Sequence, residues 1–182
     1  MSVAITYFVH GTTTDNEQRI SSGWKDVELS ELGIRQGHEL TELTRHLSFD
    51  VVFTSDLQRA YKSAELAWSD RYPIIQDARL RECSYGTLNG GPSAIVEPMC
   101  ESECITKPFP DGESYEDVKN RVSDFLDFLK KNYDGTHVAI VAHKGPQLSL
   151  DVLLKGKTWE QALADDWRKT KSWQPGWEYE IS

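Results

Sequence analysis

The 182-residue chain sets 20 Lys and Arg against 29 Asp and Glu, a formal net charge of −9. That balance argues against nucleic acid or an anionic membrane surface as a partner, and it leaves any phosphate chemistry to a local positive site. The length suits one sizeable core and is short for two typical domains plus a linker, so residues 1–182 are expected to form a single domain.

Three cysteines, Cys83, Cys100 and Cys104, are too few and odd in number for a disulfide framework, which fits a reducing compartment. The opening "MSVAITYFVHG" has no basic, apolar leader, and no run approaches the ~18 apolar residues of a membrane span. The chain therefore reads as cytoplasmic and not membrane-bound.

In chain order, apolar runs at 3–9, 50–53 and 138–142 are rich in Val and Ile without alternation, the pattern of strands buried on both faces of a parallel sheet. Helical patterns lie between them. Ser30 can cap a helix with Leu40, Leu43 and Leu47 on one face, and Ser55 with Gln58 reads as a capping box before Leu57, Ala60, Tyr61 and Ala64. Residues 89–112 carry four of the seven prolines and no clear period, so an irregular, lid-like insertion is expected there.

Ser114 precedes an amphipathic helix through Val118, Val122, Phe125, Leu126 and Leu129, Thr158 with Gln161 suggests another capping box, and "WEYEIS" alternates like an edge strand. Strands interleaved with helices imply a three-layer α/β/α sandwich around a mostly parallel sheet. Trp159, Trp167, Trp173 and Trp177 cluster late, as a packed core edge or as an interface of a homo-oligomer.

Two stretches, "YFVHG" at 7–11 and "IVAHKG" at 140–145, each place a histidine just past a buried strand with glycine close behind. Ligands of open α/β sheets bind beyond the carboxyl ends of strands, so His10 and His143 share a cleft if their strands are neighbours. His38, His46 and His137 fall at surface or packing positions. Arg59 sits in the first turn of the helix after "DVVFTS", where free N–H groups and a guanidinium fork would suit a phosphate. Glu82, before a glycine-rich segment, offers a general acid or base. On residue types alone His10, His143 and Glu82 would also suit a metal hydrolase. "CESEC" has no fourth zinc ligand close by, so incidental thiols are expected and no metal or cofactor.

Taken together, "VHGTTTDNEQRISSGWKDVELSELGIRQG", "FTSDLQRAYKSAE", "LRECSYGTLNG", "FPDGESYEDVKNRV" and "VAIVAHKGPQLSL" resemble the histidine phosphatase superfamily, the phosphoglycerate mutase-like fold, over nearly the whole chain. The resemblance implies a metal-independent phosphomonoesterase in which His10 accepts the phosphoryl group. Asn16, Arg59 and His143 would hold its oxygens with the backbone near Gly11, and Glu82 would protonate the leaving oxygen and then activate water. Positioning and cationic donors do most of the work in such a transfer.

Two departures from the family pattern stand out. Val9 occupies the position of the family's first arginine, a loss of roughly 1.5 to 3 kcal/mol for a charged contact, and Lys144 follows His143 where a small residue is usual. Lys144 is expected either to replace the lost charge as a point donor or to be a solvated loop lysine. The acidic residues Glu97, Glu101, Glu103 and Asp111 against Lys107 in the insertion favour a small monophosphate over a bisphosphate, and so a phosphatase over a mutase. The rival expectation is a non-catalytic member of the fold that binds a phosphorylated ligand or a protein, favoured by Val9.

Overall fold

The structure, a computed structural model, describes residues 2–171 and 174–182. Strand β1 (Val3–Val9) leads through a one-turn helix α1 (Thr14–Glu17) and a short strand β2 (Ile20–Ser21) to helix α2 (Glu31–Leu43). Strand β3 (Val51–Thr54), helix α3 (Gln58–Trp68) and strand β4 (Ile74–Gln76) follow, then β5 (Gly91–Pro92) and helix α4 (Ser93–Cys100). The chain continues with α5 (Tyr115–Asn132), β6 (His137–Ala142), α6 (Lys144–Lys155), α7 (Trp159–Ala164), α8 (Trp167–Thr170) and β7 (Trp177–Ile181).

The main sheet has the order β4-β3-β6-β1-β7. β7 is the antiparallel edge strand and the other pairings are parallel. Alternate strand residues enter two apolar clusters. Tyr7, Phe53 and Ile140 pack with Val122, Phe125 and Leu150 of α5 and α6, whereas Phe8, Val52 and Val141 pack with Leu40, Ala64 and Trp68 of α2 and α3. Helices thus cover both faces, which is why these strands lack an alternating pattern.

Local expectations hold where the cap and the buried stripe are both encoded nearby. Ser114 and Thr158 form reciprocal capping boxes with Asp117 and Gln161, and the five apolar residues foreseen on α5 are all buried. Three expectations are corrected. No capping box joins Ser55 to Gln58: Ser55 Oγ accepts from the Leu57 N–H, and the Gln58 N–H donates to Asp26 Oδ1, so a carboxylate from a distant loop caps α3 and fills the place foreseen for an anion.

The face of α2 is not a leucine stripe. The helix ends at Leu43, which is 44% exposed, and the buried positions are Gly33, Gly37 and Leu40. A Cβ on Gly33 would lie 2.0 Å from the Thr12 carbonyl oxygen, and one on Gly11 would lie 2.6 Å from that of Gly33. The glycine after His10 is thereby explained by the backbone of α2 packing directly on that loop. The segment 89–112 is partly regular, holding β5 paired with β2, α4 with Pro98 inside it, and a short 3₁₀ turn. Pro98 hides the period, and Val96 and Cys100 anchor the helix in the core.

Trp159 stacks on Tyr115 with ring centroids 5.5 Å apart and Trp167 lies against Trp177 at 6.2 Å, while Trp173 falls outside the described residues. All three cysteines are buried free thiols, and burial pushes Cys100 up to about 11, which disfavours thiolate chemistry. Among the described residues no helix is long and apolar enough to cross a membrane.

Candidate active site

β6 arrives late in the chain and slots between β1 and β3, pairing Val9 with Ala142. The ladder continues one residue further, with the His10 N–H donating to the Ala142 carbonyl at 3.1 Å. His10 and His143 therefore emerge side by side at adjacent strand tips, ring centroids 5.1 Å apart and inclined by 60°. Tyr7 locks the second tip: its hydroxyl donates to the His143 carbonyl and accepts from the His143 N–H.

His10 Nδ1 lies 2.7 Å from the Gly11 carbonyl oxygen, which can only accept, so Nδ1 carries the proton and Nε2 keeps its lone pair. Burial, reinforced by the Arg59 charge, lowers its pKa to about 3. His143 is 1% exposed, and among the described residues neither of its ring nitrogens has a hydrogen-bond partner. Burial, then the charge of Arg59 and the neighbouring His10, holds its pKa well below the usual histidine range. A buried imidazole without a partner is costly unless a ligand supplies one.

Arg59 rises from the first turn of α3 and is 2% exposed; its Nη1 and Nη2 donate to the Lys25 and Gly23 carbonyls. No carboxylate hydrogen-bonds it among the described residues, so its charge stays available to an anion. Glu82 Oε1 accepts from the Cys83 N–H and from the Gly145 N–H at the start of α6. Trp24 Nε1 and Arg121 Nη2 hold the Glu82 carbonyl. That leaves Oε2 for proton chemistry.

A cavity of about 290 Å³ gathers His10, Asn16, Arg59, Glu82, His143 and Lys144, together with Val9. Asn16 Oδ1 accepts from the Thr13 N–H and so caps α1, leaving the Nδ2 amide as what it can offer a ligand. Gly11 is the one expected residue outside this wall: its N–H donates to Ser63 Oγ at 2.9 Å, and it borders a second cavity behind His10 instead.

Lys144 is buried, which excludes the solvated-lysine expectation, but its Nζ lies 2.5 Å from Glu97 Oε2. The same Glu97 oxygen accepts from Arg168 Nη2 at 3.2 Å. Burial pushes the Glu97 carboxyl up, but Lys144 and Arg168 outweigh it and hold the group below the usual range. Glu101 pairs with Lys169, so two of the acids expected to repel polyanions are already matched by cations. Arg168 had no sequence signal as a site residue. Its only local mark is Asp166 two positions earlier, whose side chain caps α8 and binds the guanidinium.

A model of the histidine phosphatase superfamily, branch 1, matches residues 7–176. The fructose-2,6-bisphosphatase TIGAR of Xenopus tropicalis is 33% identical over 135 residues, 69% of this chain and 49% of that protein. The chain thus spans about half the length of such relatives. A 2,3-bisphosphoglycerate-dependent phosphoglycerate mutase of Rhizobium meliloti is 30% identical over 180 residues, covering 90% of this chain and 84% of that one. Among solved structures, the alpha-ribazole phosphatase of Shigella flexneri superposes with a TM-score of 0.74 at 26% identity, covering 90% of this chain and 84% of its own.

Proposed function

Because the chain belongs to branch 1 of the histidine phosphatase superfamily, we propose that it is a metal-independent phosphatase of small phosphomonoesters working through a phosphohistidine on His10. The observation that carries this reading is the pair of imidazoles: His10 fixed with Nδ1 protonated and Nε2 bare, beside a buried His143 with no hydrogen-bond partner for either nitrogen among the described residues.

In the first step the Nε2 lone pair attacks phosphorus, and the P–O bond to the leaving group breaks as Glu82 gives that oxygen a proton. In the second, the Glu82 carboxylate takes a proton from water, whose oxygen attacks phosphorus and releases Nε2. A neutral imidazole needs no deprotonation before attack, and the covalent intermediate divides the displacement in two. Arg59, His143 and Asn16 suit the spread of charge over the equatorial oxygens. Lys144 would add a point charge once it parts from Glu97. Side chains then supply the cationic field that a metal provides elsewhere.

The test is phosphate release from an aryl phosphomonoester in chelator between pH 5 and 8, with wild type and His10→Ala side by side. Turnover in wild type that disappears in the variant, with a labelled His10 trapped by an alkaline denaturing quench that preserves the P–N bond, is the expected result. A second reading, a member of the fold that binds a phosphorylated ligand without turning it over, is favoured by Val9 ahead of His10, where the family resemblance leads one to expect an arginine. It would show as phosphate affinity with no labelling and no release. Isomerisation of a phosphoglycerate without net phosphate release would replace the phosphatase by a mutase.

A further inference from the structure

The cavity wall next to Val9 is closed from an unexpected direction. Trp167, on the short helix α8, borders with Val9 both the cavity that holds Glu82 and the second one behind His10. Its indole Nε1 is buried and has no hydrogen-bond partner among the described residues. The next residue, Arg168, lines the first cavity.

Asp166 fixes that guanidinium from one side, accepting from Nε at 3.3 Å and from Nη2 at 3.1 Å, while Nη2 also donates to Glu97. Nη1 has no partner among the described residues. The result is an arginine oriented by its own helix cap, with one free edge, lining the cavity to which Val9 brings no charge.

We infer that Arg168 takes over the role of the cation absent at position 9, holding the phosphoryl group beside His10 through its free Nη1 edge, with Glu97 as the counter-ion it shares with Lys144 when no anion is bound. The inference rests on the cavity being a phosphate site, as proposed above, and goes beyond it by assigning a binding residue from the C-terminal part of the chain. A guanidinium delivered from α8 need not occupy the volume of a side chain at position 9, because only the direction and distance of its N–H groups to the anion matter.

Inorganic phosphate binding, measured by calorimetry on the full chain, tests this with R168A, R168K and the double variant V9R/R168A. Folding is checked by circular dichroism and thermal melting. The expected result is that R168A binds phosphate about 10- to 100-fold more weakly than wild type. R168K should fall between them because an ammonium lacks the fork, and V9R should recover most of the loss in the R168A background. Phosphate binding by R168A within about twofold of wild type, or a loss that neither the lysine nor V9R lessens, overturns the inference.

Trapping of labelled His10 in wild type keeps the two readings apart. Phosphate binding that depends on Arg168 without labelling of His10 leaves this inference standing and removes the phosphatase. Labelling with phosphate binding indifferent to Arg168 does the reverse, and a wild type that neither binds phosphate nor labels removes both.

Discussion

The two walls of the cavity are built on opposite principles. At the strand tips, His10, His143 and Arg59 are held by backbone groups, and among the described residues neither ring nitrogen of His143 has a hydrogen-bond partner. On the second, Lys144, Glu97 and Arg168 line the cavity, and with Asp166 behind them they satisfy one another through a chain of ion pairs. The first wall is left electrostatically hungry by a sheet rigid enough to hold it so, and the second is neutralised from within. The contrast teaches that an anion gains most from the first wall, and that binding at the second must exchange one set of ion pairs for another.

The largest effect that sharpens this contrast is expected from Gly145→Ala. A Cβ there would lie 2.4 Å from Glu82 Oε1, the flexible end of a side chain, so the carboxylate shifts while α6 keeps its place. Turnover of alkyl phosphates should fall about 100-fold, and that of aryl phosphates, which need less protonation of the leaving oxygen, by much less. Equal losses on both substrates, in steady-state kinetics, would show that Glu82 does not serve the leaving group.

Next comes Glu97→Gln, where the two walls predict opposite signs for binding and stability. Lys144 loses its partner while buried, so the melting temperature should drop by an amount equivalent to about 1 to 3 kcal/mol. Phosphate binding should nevertheless tighten by up to roughly tenfold, because the cations no longer have to leave a carboxylate. Weaker binding in calorimetry would mean that Glu97 positions these cations and does not compete for them.

The smallest effect is one of absence. The pKa of His10 is held at about 3, so protonation of the nucleophile should place no limb near pH 6.5 in kcat/KM. A limb near 6 should follow the second ionisation of the ester, at about 6, and move between esters that differ in it. The stability sign is opposite to that of a salt-bridged histidine. Unfolded His10 takes up a proton as pH falls below about 6.5 while the folded form resists until about 3. The free protein should therefore lose stability steadily over that window, and His10→Asn should lessen the loss in melts followed against pH.

Most of the architecture was written in the chain. Val-rich runs, the Ser114 and Thr158 capping boxes and the apolar stripe of α5 specify strands and helices locally, because cap and buried face lie within a few residues of each other. The two His-Gly contexts likewise pointed to one cleft, and the structure gathers six of the seven expected site residues around it. What the sequence could not reveal depends on partners far along the chain. The α3 cap comes from Asp26, the tight seat of α2 comes from glycines facing the His10 loop, and the Gly11 N–H belongs to Ser63.

Lys144 shows the limit most clearly. Its identity and place after β6 were plain from the sequence, but whether its charge faced solvent, an anion or a carboxylate was decided by α4 and α8 closing over it. Ion pairing between elements about fifty residues apart leaves no periodic trace, since any carboxylate at the right point in space would serve. Local propensity and hydrophobic spacing thus determined the scaffold and the strand-tip histidines, and only the packed chain decided which charges meet.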